Sequence, residues 1–270
     1  MTQKPTPSPD DSAFLRVMDG QLLGWEQPAA RLREAIDYDH FRLYAQPVVA
    51  LTAEAPMAFA EVLVRLREEE ANLLPPGDFL PAFEHYRMMG ELDRWVVRNA
   101  LRQLGAGLRT RKLSVNVSAQ TIDEAGFAPF VAMQLKLAAL EPAALVIEID
   151  ENDALDRRAA CERFAAEMKG IGCQLLLDGF ARRAVTFDSL KALRVDYVKV
   201  DGAVSRNILR SGSAAAKMKA IVRIGQVTEV GVIAECVEEE KIRGALKLLG
   251  VGYVQGFGVG KPAPLEQLAG

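Results

Sequence analysis

Seven short apolar runs of the chain each contain one charged or amide side chain near the C-terminal end of the run. A polar group in a buried strand costs desolvation free energy unless a partner compensates it. One such residue would be explained by a buried ion pair, but seven of eight candidate strands carry one, which predicts a shared site. The residues are Glu61, Asn116, Glu148, Asp178, Lys199, Glu235 and Gln255.

The chemistry of this set favours a hard cation and a phosphoryl group. Four carboxylates cannot all stay ionised in a small cavity without a counter-charge, and oxygen ligands suit Mg²⁺ or Mn²⁺. The only two histidines, His40 and His85, lie away from the predicted strand ends, which weighs against zinc and against a Ser-His-Asp triad. A hard cation beside Lys199 and Arg65 would be suited to phosphoryl chemistry.

The elements that must position these side chains are strands and helices in alternation. Such alternation implies parallel strands joined by crossover helices. Eight strands in 270 residues predict an α/β fold, a (β/α)₈ TIM-like barrel, preceded by lead-in helices within Phe14–Ile36. An open doubly wound sheet is the alternative, but the chain has no GxGxxG or GxxxxGKS/T phosphate loop. The predicted strands are Phe41–Val49, Ala58–Leu66, Leu113–Ser118, Leu145–Asp150, Gln174–Asp178, Tyr197–Asp201, Val232–Val237 and Tyr253–Val259. The predicted helices are Pro76–Met89, Glu91–Leu108, Thr121–Leu140, Asn152–Gly170, Thr186–Leu193, Ala214–Val230 and Glu238–Leu249.

Composition limits the domain organisation and the partners. The net charge is −3, with 33 Lys and Arg against 36 Asp and Glu, so no basic excess indicates a nucleic-acid polymer. No apolar run approaches the ~18 residues that span a bilayer, so no membrane partner is expected. Three widely spaced cysteines indicate reduced thiols and a cytoplasmic protein. We predict a disordered tail at residues 1–13 and a single domain at residues 14–270.

Several motifs follow one another in a characteristic order. Glu61-Val62-Leu63 precedes Arg65, and Tyr44-Ala45-Gln46-Pro47 stands in the strand before it. The other motifs are Pro76–Pro81, Ser114–Ser118, Glu148–Glu151, Val198–Asp201, Ala234–Glu238 and Tyr253–Phe257. Together these segments resemble the EAL domain, the cyclic di-GMP phosphodiesterase family. The resemblance extends from about Phe41 to Leu268.

The resemblance implies a site at the barrel mouth where two divalent ions, Mg²⁺ or Mn²⁺, activate a water that cleaves cyclic di-GMP to linear pGpG. It also implies one antiparallel strand near the start of the barrel. By position, the metal ligands would be Glu61, Asn116, Glu148, Asp178 and Glu235, and the catalytic candidates Glu61, Lys199 and Glu235. Glu151 would anchor the loop after the predicted strand Gln174–Asp178. Contacts to the nucleotide would come from Gln46, Leu63, Arg65, Asp201 and Gln255. We add Arg182, which stands where the chain departs from the family, as a further candidate contact.

The chain departs from the family pattern directly after Asp178. The second Asp of the family, a ligand of the second ion, is Gly179 here, and the family's Thr-Gly-Tyr is Arg182-Arg183-Ala184. Loss of one preorganised electrostatic element costs about 10²–10³ in rate, so we expect hydrolysis to be lost or strongly reduced. Asp150 either supplies a substitute oxygen, stays a solvated carboxylate or forms a local ion pair. The arginines either bind phosphate or form a solvated pair in the loop.

We therefore expect a cyclic di-GMP receptor with lost or strongly reduced hydrolysis. The first alternative is an active, metal-dependent phosphodiesterase that produces pGpG. The second is a protein-interaction scaffold without nucleotide, although a pure scaffold has no need to keep buried carboxylates. The resemblance also allows a protein effector and a homodimer as partners, with one ion, two ions or none bound.

Overall fold

The fold is seen in a computed structural model that describes residues 27–51, 57–69, 72–183 and 187–268. The predicted tail and the first part of the predicted lead-in segment lie outside these residues. The rest of that segment contains helix α1 (Pro28–Asp37), which has proline in its first turn. Proline is favourable there because the first N–H groups of a helix have no acceptor within the helix.

Within the described residues, eight strands close into a barrel and two short strands extend it. In chain order the strands are β1 (Phe41–Ala50), β2 (Met57–Glu69), β3 (Asn72–Leu74), β4 (Leu113–Asn116), β5 (Leu145–Asp150), β6 (Gln174–Phe180), β7 (Tyr197–Val200), β8 (Gly231–Ala234), β9 (Tyr253–Val254) and β10 (Ala263–Pro264). β3 and β10 are the two extensions, paired antiparallel with β2 and β1. β1 is also antiparallel to both of its ring neighbours, β2 and β9, whereas the other ring pairs are parallel. The predicted barrel with one antiparallel strand is confirmed.

Helices connect the parallel strands. After α1 they are α2 (Pro76–His85), α3 (Met89–Gly105), α4 (Ala119–Asp123), α5 (Phe127–Leu137), α6 (Glu151–Asp156), α7 (Arg158–Gly170), α8 (Phe187–Leu193), α9 (Gly202–Arg206), α10 (Gly212–Thr228) and α11 (Glu240–Leu248). The predicted single helices Thr121–Leu140 and Asn152–Gly170 are each divided in two. Gly126, at φ 90°, and Arg157 leave the helical backbone conformation at the breaks. None of the helices in the described part of the chain is long and apolar enough to cross a membrane.

Two layers of strand side chains alternate along the barrel, because residues two apart in a strand lie on the same face. A buried apolar layer consists of Val48, Phe59, Val146, Leu176 and Ile233, with Tyr197 and Tyr253 packed against it. Two residues further along six of these strands lies the polar layer, formed by Glu61, Glu148, Asp178, Lys199, Glu235 and Gln255. Asn116 joins it from the last position of β4. The polar layer thus lies at the C-terminal ends of the parallel strands, a face that we call the mouth.

Candidate functional site

The ammonium of Lys199 is the centre of the polar layer. Its Nζ atom lies 2.6 Å from Glu148 Oε2, 2.9 Å from Glu61 Oε2 and 3.5 Å from Asp178 Oδ1. Lys199 is 2% exposed and Glu148 is 1% exposed. Residues that are as many as 138 positions apart in the chain are therefore joined in one buried cluster.

Two amide side chains complete the hydrogen bonding of Glu61. Asn116 Nδ2 donates to Glu61 Oε1 at 3.0 Å, and Gln255 Nε2 donates to Glu61 Oε2 at 2.8 Å. Both oxygens of Glu61 therefore have partners. Of the residues predicted for the site, five meet directly through these contacts with Glu61 and Lys199: Glu61, Asn116, Glu148, Lys199 and Gln255.

Glu235 lies at the edge of this cluster and is held by the backbone. It follows β8, and its Oε1 accepts a hydrogen bond from the backbone N–H of Gly202 at 2.6 Å. Burial and the nearby charge of Asp178 raise the pKa of Glu235. The fourth carboxylate therefore belongs to the same electrostatic environment as Asp178 and Lys199 but has its own donor.

The cluster changes the acidity of its members because carboxylates outnumber ammonium groups. Burial and the charge of Glu61 raise the pKa of Glu148 to about 8, although Lys199 opposes the shift. Burial acts to raise the pKa of Glu61 as well, but Lys199 and the two amides outweigh it and the pKa lies below its usual value. Burial acts to lower the pKa of Lys199, and its carboxylate neighbours hold it well above its usual value. The two carboxyl groups therefore differ in acidity, since the shift of Glu61 favours its ionised form and that of Glu148 favours its neutral form.

Two oxygens of the cluster fit a cation. Glu148 Oε1 and Asp178 Oδ1 are buried and accept no hydrogen bond. Unsatisfied carboxylate and amide oxygens are the donor type that Mg²⁺ and Mn²⁺ prefer. In the described part of the chain, no group of three His, Cys, Asp or Glu side chains converges on a metal position; three of the carboxylates converge on Lys199 instead.

A second charged group lies beside the cluster and is centred on Arg182. Its Nη1 lies 2.9 Å from Asp150 Oδ2, and its Nε lies 3.1 Å from Asp201 Oδ2. The other oxygens of both aspartates cap helices, with Asp150 accepting from Asn152 N and Asp201 from Ala203 N. Of the three alternatives for Asp150, the structure contains the local ion pair.

The loop after β6 is held by Glu151. This carboxylate is 2% exposed, and it accepts hydrogen bonds from the backbone N–H groups of Ala181 at 2.9 Å and Arg183 at 2.8 Å. The contacts lie on either side of Arg182, so Glu151 fixes the backbone from which the Arg182 side chain extends. The Arg183 side chain instead pairs with Asp156, 2.8 Å away, in a more exposed position.

The three nucleotide contacts predicted on β1 and β2 have partners of their own. Gln46 faces Glu61 across the β1–β2 pair, and its Nε2 donates to the Gly260 carbonyl at 3.0 Å. Arg65 donates to the Val64 carbonyl at 2.8 Å, and its guanidinium lies 5.5 Å from the centre of the Tyr44 ring. Leu63 and Arg65 are two and four residues beyond Glu61 in β2, so both share its face. Their roles toward a nucleotide stay predictions.

Two contributors to the site were missed from the sequence. One is the backbone N–H of Gly202, which no side-chain pattern reveals. The other is Asp93 of α3, a buried residue that accepts hydrogen bonds from Ser118 N at 2.9 Å, Ser118 Oγ at 2.7 Å and Thr121 Oγ1 at 2.5 Å. It thereby holds the connection that follows Asn116. An aspartate within the apolar stripe of a helix was the available signal.

The buried carboxylates, amides and lysine at the C-terminal strand ends lie on the face at which α/β barrels carry their active sites. The chain belongs to the EAL domain family, whose model matches residues 29–262.

Curated relatives include proteins named as cyclic di-GMP phosphodiesterases. Cyclic di-GMP phosphodiesterase PdeF of Escherichia coli (strain K12) is 29% identical over 238 residues, which are 87% of this chain and 32% of that protein. The bifunctional diguanylate cyclase/cyclic di-GMP phosphodiesterase MucR of Pseudomonas aeruginosa is 31% identical over 241 residues, 88% of this chain and 35% of that protein. The chain thus spans about a third of the length of these relatives.

Solved structures agree with this family over most of the chain. The PaMucR phosphodiesterase in its c-di-GMP complex is 30% identical, with a TM-score of 0.81, and the match covers 90% of this chain and 99% of that one. The FimX EAL domain from Pseudomonas aeruginosa, bound to c-di-GMP, is 28% identical, with a TM-score of 0.82 and coverages of 87% and 96%.

Proposed function

We propose that the chain binds cyclic di-GMP at the mouth of the barrel and acts as a signalling receptor whose hydrolysis is lost or strongly reduced. The observation that supports it best is the departure from the family pattern beside Asp178, where Gly179 has no side-chain oxygen and the Arg182 guanidinium lies next to it. The neighbouring polar layer contains all seven of the charged and amide residues that were predicted for it. Binding and hydrolysis therefore need not be lost together.

The polar layer supplies charges suited to a phosphodiester. Lys199 stays protonated because its carboxylate neighbours hold its pKa well above the usual value. It can therefore stabilise a phosphate but cannot accept a proton. The residues that would hold a divalent Mg²⁺ or Mn²⁺ ion are Glu61, Asn116, Glu148, Asp178 and Glu235. Such an ion, when bound, supplies a Lewis acid for the phosphoryl group.

Side chains of the polar layer and of the strands around it would hold the nucleotide itself. Gln46, Leu63 and Arg65 lie on the strand pair that includes Glu61, and Gln255 completes the set from the end of β9. Arg65 is half-buried and carries a positive charge, which suits a phosphate oxygen. A protein effector that reads the bound state, and a homodimer, remain proposals of the same kind.

The second candidate function is an active phosphodiesterase that yields pGpG. It is favoured by the two buried oxygens of Glu148 and Asp178 that accept no hydrogen bond, because they are suited to one divalent ion. One ion can polarise a phosphoryl oxygen, whereas two ions stabilise both the attacking and the leaving oxygen. The expected rate is consequently well below that of a two-ion enzyme.

Calorimetry with cyclic di-GMP separates these functions. We expect saturable heat from the wild-type protein in buffer with Mg²⁺, with Mn²⁺ and with EDTA. Arg65→Ala should weaken the affinity by about tenfold, the typical effect of losing one charge-assisted hydrogen bond. Arg98→Ala is the matched control, because Arg98 is exposed on α3. Absence of heat in all three buffers would refute nucleotide binding and leave the scaffold as the remaining function.

Chromatography of long incubations measures the hydrolysis. We expect no pGpG, or only traces, after cyclic di-GMP is incubated with the protein and either ion. Turnover at the rate of an active EAL phosphodiesterase assayed side by side would refute the receptor. It would also mean that the missing oxygen at Gly179 is unimportant.

A further inference from the structure

The guanidinium of Arg182 links the ends of two strands across a third. Arg182 lies in a tight turn after β6, where its backbone N–H donates to the Gly179 carbonyl at 3.0 Å. From there the side chain reaches Asp150 at the end of β5 and Asp201 after β7, at 2.9 Å and 3.1 Å. The two ion pairs are half-buried, since the Arg182 side chain is 39% exposed and that of Asp201 is 19% exposed.

The position of this guanidinium depends on glycine at 179. A Cβ atom built on Gly179 would lie 2.4 Å from Arg182 Nη2 and 2.6 Å from its Cζ. Gly179 also has φ 67°, in the left-handed region that glycine adopts most readily. Hence the guanidinium occupies the space into which a side chain at 179 would extend, and the glycine and the arginine form one arrangement.

The surrounding groups at this part of the mouth are acidic. Asp150 is the register partner of Asp178 in the β5–β6 pair, and Glu235 feels the charges of both Asp178 and Asp201. These carboxylates need positive charge nearby to stay ionised together. Arg182 supplies it permanently, because a guanidinium does not deprotonate in proteins.

We propose that Arg182 is a fixed cation of the nucleotide site, which neutralises Asp150 and Asp201 in place of a divalent ion and offers Nη2 to a phosphate of the ligand. Nη2 forms no hydrogen bond with the described residues, so it keeps a donor for an anion. The inference rests on the proposed function, since it concerns how the same mouth holds cyclic di-GMP. Nucleotide binding should accordingly persist when divalent ions are removed.

Arg183 provides an internal comparison for this role. It is the next residue in the chain, it has the same charge, and its side chain pairs with the exposed Asp156. This exposed pair agrees with a solvated loop contact, which the sequence allowed for both arginines as the alternative to phosphate binding. Arg182 differs because both of its ion pairs join strand ends at the mouth. Arg183→Ala is therefore the matched control for Arg182→Ala.

Two measurements test the proposal with wild type, Arg182→Ala and Arg183→Ala. Calorimetry in EDTA gives the affinity for cyclic di-GMP, and electron paramagnetic resonance of Mn²⁺ without nucleotide gives the number of ions bound per chain. In EDTA, Arg182→Ala should bind cyclic di-GMP roughly 10- to 100-fold more weakly than wild type, and Arg183→Ala within about twofold of it. Arg182→Ala should bind more Mn²⁺ than the other two proteins, because Asp150 and Asp201 have lost their cation.

The outcomes separate this inference from the function on which it rests. If the wild type binds no cyclic di-GMP with or without divalent ions, the proposed function fails. If the wild type binds only when divalent ions are present, binding is retained as the function but the fixed cation is refuted. The fixed cation is also refuted if Arg182→Ala and Arg183→Ala have the same affinity and the same Mn²⁺ stoichiometry. Arg182→Lys guards against a general structural effect, since it restores the charge and should recover part of the affinity.

Discussion

At the scale of single residues, the site is a problem of charge balance. Lys199 is one ammonium among three carboxylates, two of them buried and that of Asp178 partly exposed, all within 3.5 Å of its Nζ. A buried charge without compensation costs several kcal/mol. This cost raises the pKa of Glu148 to about 8, which favours the neutral form of that carboxyl group. We therefore expect a proton on Glu148 to contribute to the stability of the barrel.

This proton makes stability depend on pH in a defined direction. The folded pKa of Glu148 is about 8 against an ordinary 4.5, so between these values the folded state holds a proton that the unfolded chain releases. The contribution of this group to the free energy of unfolding is complete below pH 4.5 and is lost as the pH rises toward about 8. Glu148→Gln cannot ionise, and we expect it to lack this loss.

Thermal unfolding between pH 5 and pH 9 checks this expectation. The difference in melting temperature between Glu148→Gln and wild type should widen as the pH rises. Each unit of pKa shift corresponds to about 1.4 kcal/mol, and a protein of this size gains about 2–4 °C per kcal/mol. The control is Glu167→Gln, an exposed residue of α7. Parallel curves for Glu148→Gln and wild type would show that Glu148 is ionised in the folded protein.

A pair of substitutions at 179 and 182 addresses hydrolysis. Gly179→Asp adds a carboxylate, but its Cβ needs the space of the Arg182 guanidinium, 2.4 Å away. Aspartate tolerates the left-handed backbone better than most residues. We expect the single variant to gain little activity and Gly179→Asp with Arg182→Ala to produce pGpG at least about tenfold faster than wild type with Mn²⁺, as expected for an added electrostatic element.

The four proteins of this double-mutant cycle are compared by chromatography of pGpG. Arg182→Ala alone is the matched control, because it empties the space without adding an oxygen. Equal rates for the single and double aspartate variants would mean that the guanidinium does not obstruct position 179.

The members of the polar layer could be predicted from the sequence, because a polar residue at the end of an apolar run conflicts with burial. Strand alternation then puts such residues on one face. The partner of each residue could not be predicted. Which carboxylate meets Lys199 depends on strand stagger, and the arrangement of Gly179 with Arg182 depends on a turn of only a few residues. Neither the strand stagger nor the turn produces a periodic pattern in the sequence.

At the scale of elements, the mouth is organised by short helices that begin where strands end. Ser118, Asp150 and Asp201 follow or end β4, β5 and β7, and each caps the helix that comes next. A side-chain cap satisfies an N–H group that the helix leaves without an acceptor. Because Asp150 and Asp201 also bind Arg182, the caps connect the helix starts to the loop after β6.

Glu151, at the start of α6, holds the loop after β6 through two backbone hydrogen bonds. Removing its carboxylate should make this loop more mobile. Glu151→Ala leaves the buried N–H group of Ala181 and the partly buried N–H group of Arg183 without acceptors, which costs up to about 1–3 kcal/mol for each. We expect faster amide hydrogen exchange in residues 181–183 and weaker binding of cyclic di-GMP, because Arg182 loses its fixed backbone. Glu162→Ala is the control, since Glu162 pairs with Arg158 within α7. Unchanged exchange in the loop would show that Glu151 does not hold it.

Element types were predicted well and element ends poorly. The predicted strand Val232–Val237 stops at Ala234, and Cys236 has φ 57° just before the chain turns. The predicted strand Tyr253–Val259 stops at Val254, and Gly256 packs so tightly that a Cβ there would lie 2.3 Å from the Val237 backbone. Both apolar runs continue past the strand through residues that stay fully or partly buried, as far as Val237 and Gly256, whereas Phe257 is 60% exposed. Hydrophobicity therefore marks burial rather than the end of a ladder.

At the scale of the whole molecule, the site and the barrel are the same structure. Six strands of the ring each contribute one side chain to the polar layer, and the end of β4 contributes a seventh. The direction of β1, antiparallel to both neighbours, could be expected only from the family resemblance, because an apolar run has no direction. Closure of the ring by β1 completes the contacts that join Gln255 to Glu61. Local opening of any strand would disrupt the site.

Nucleotide binding and the folded barrel should therefore be lost together. A destabilising substitution in the core beneath the site should lower the urea concentration at which each is lost. Leu176 is a fully buried member of the apolar layer two residues before Asp178, and its side chain has no polar atom that could hold the ligand. Leu176→Ala should destabilise the fold by about 2–5 kcal/mol. In urea titrations, far-UV circular dichroism and binding of a trace of fluorescent cyclic di-GMP should shift to lower urea by the same amount. Leu248→Ala, at a residue 90% exposed on α11, should shift neither. If binding vanished well before the dichroism changed, the mouth would open separately from the barrel, and the polar layer would not be an integral part of the fold.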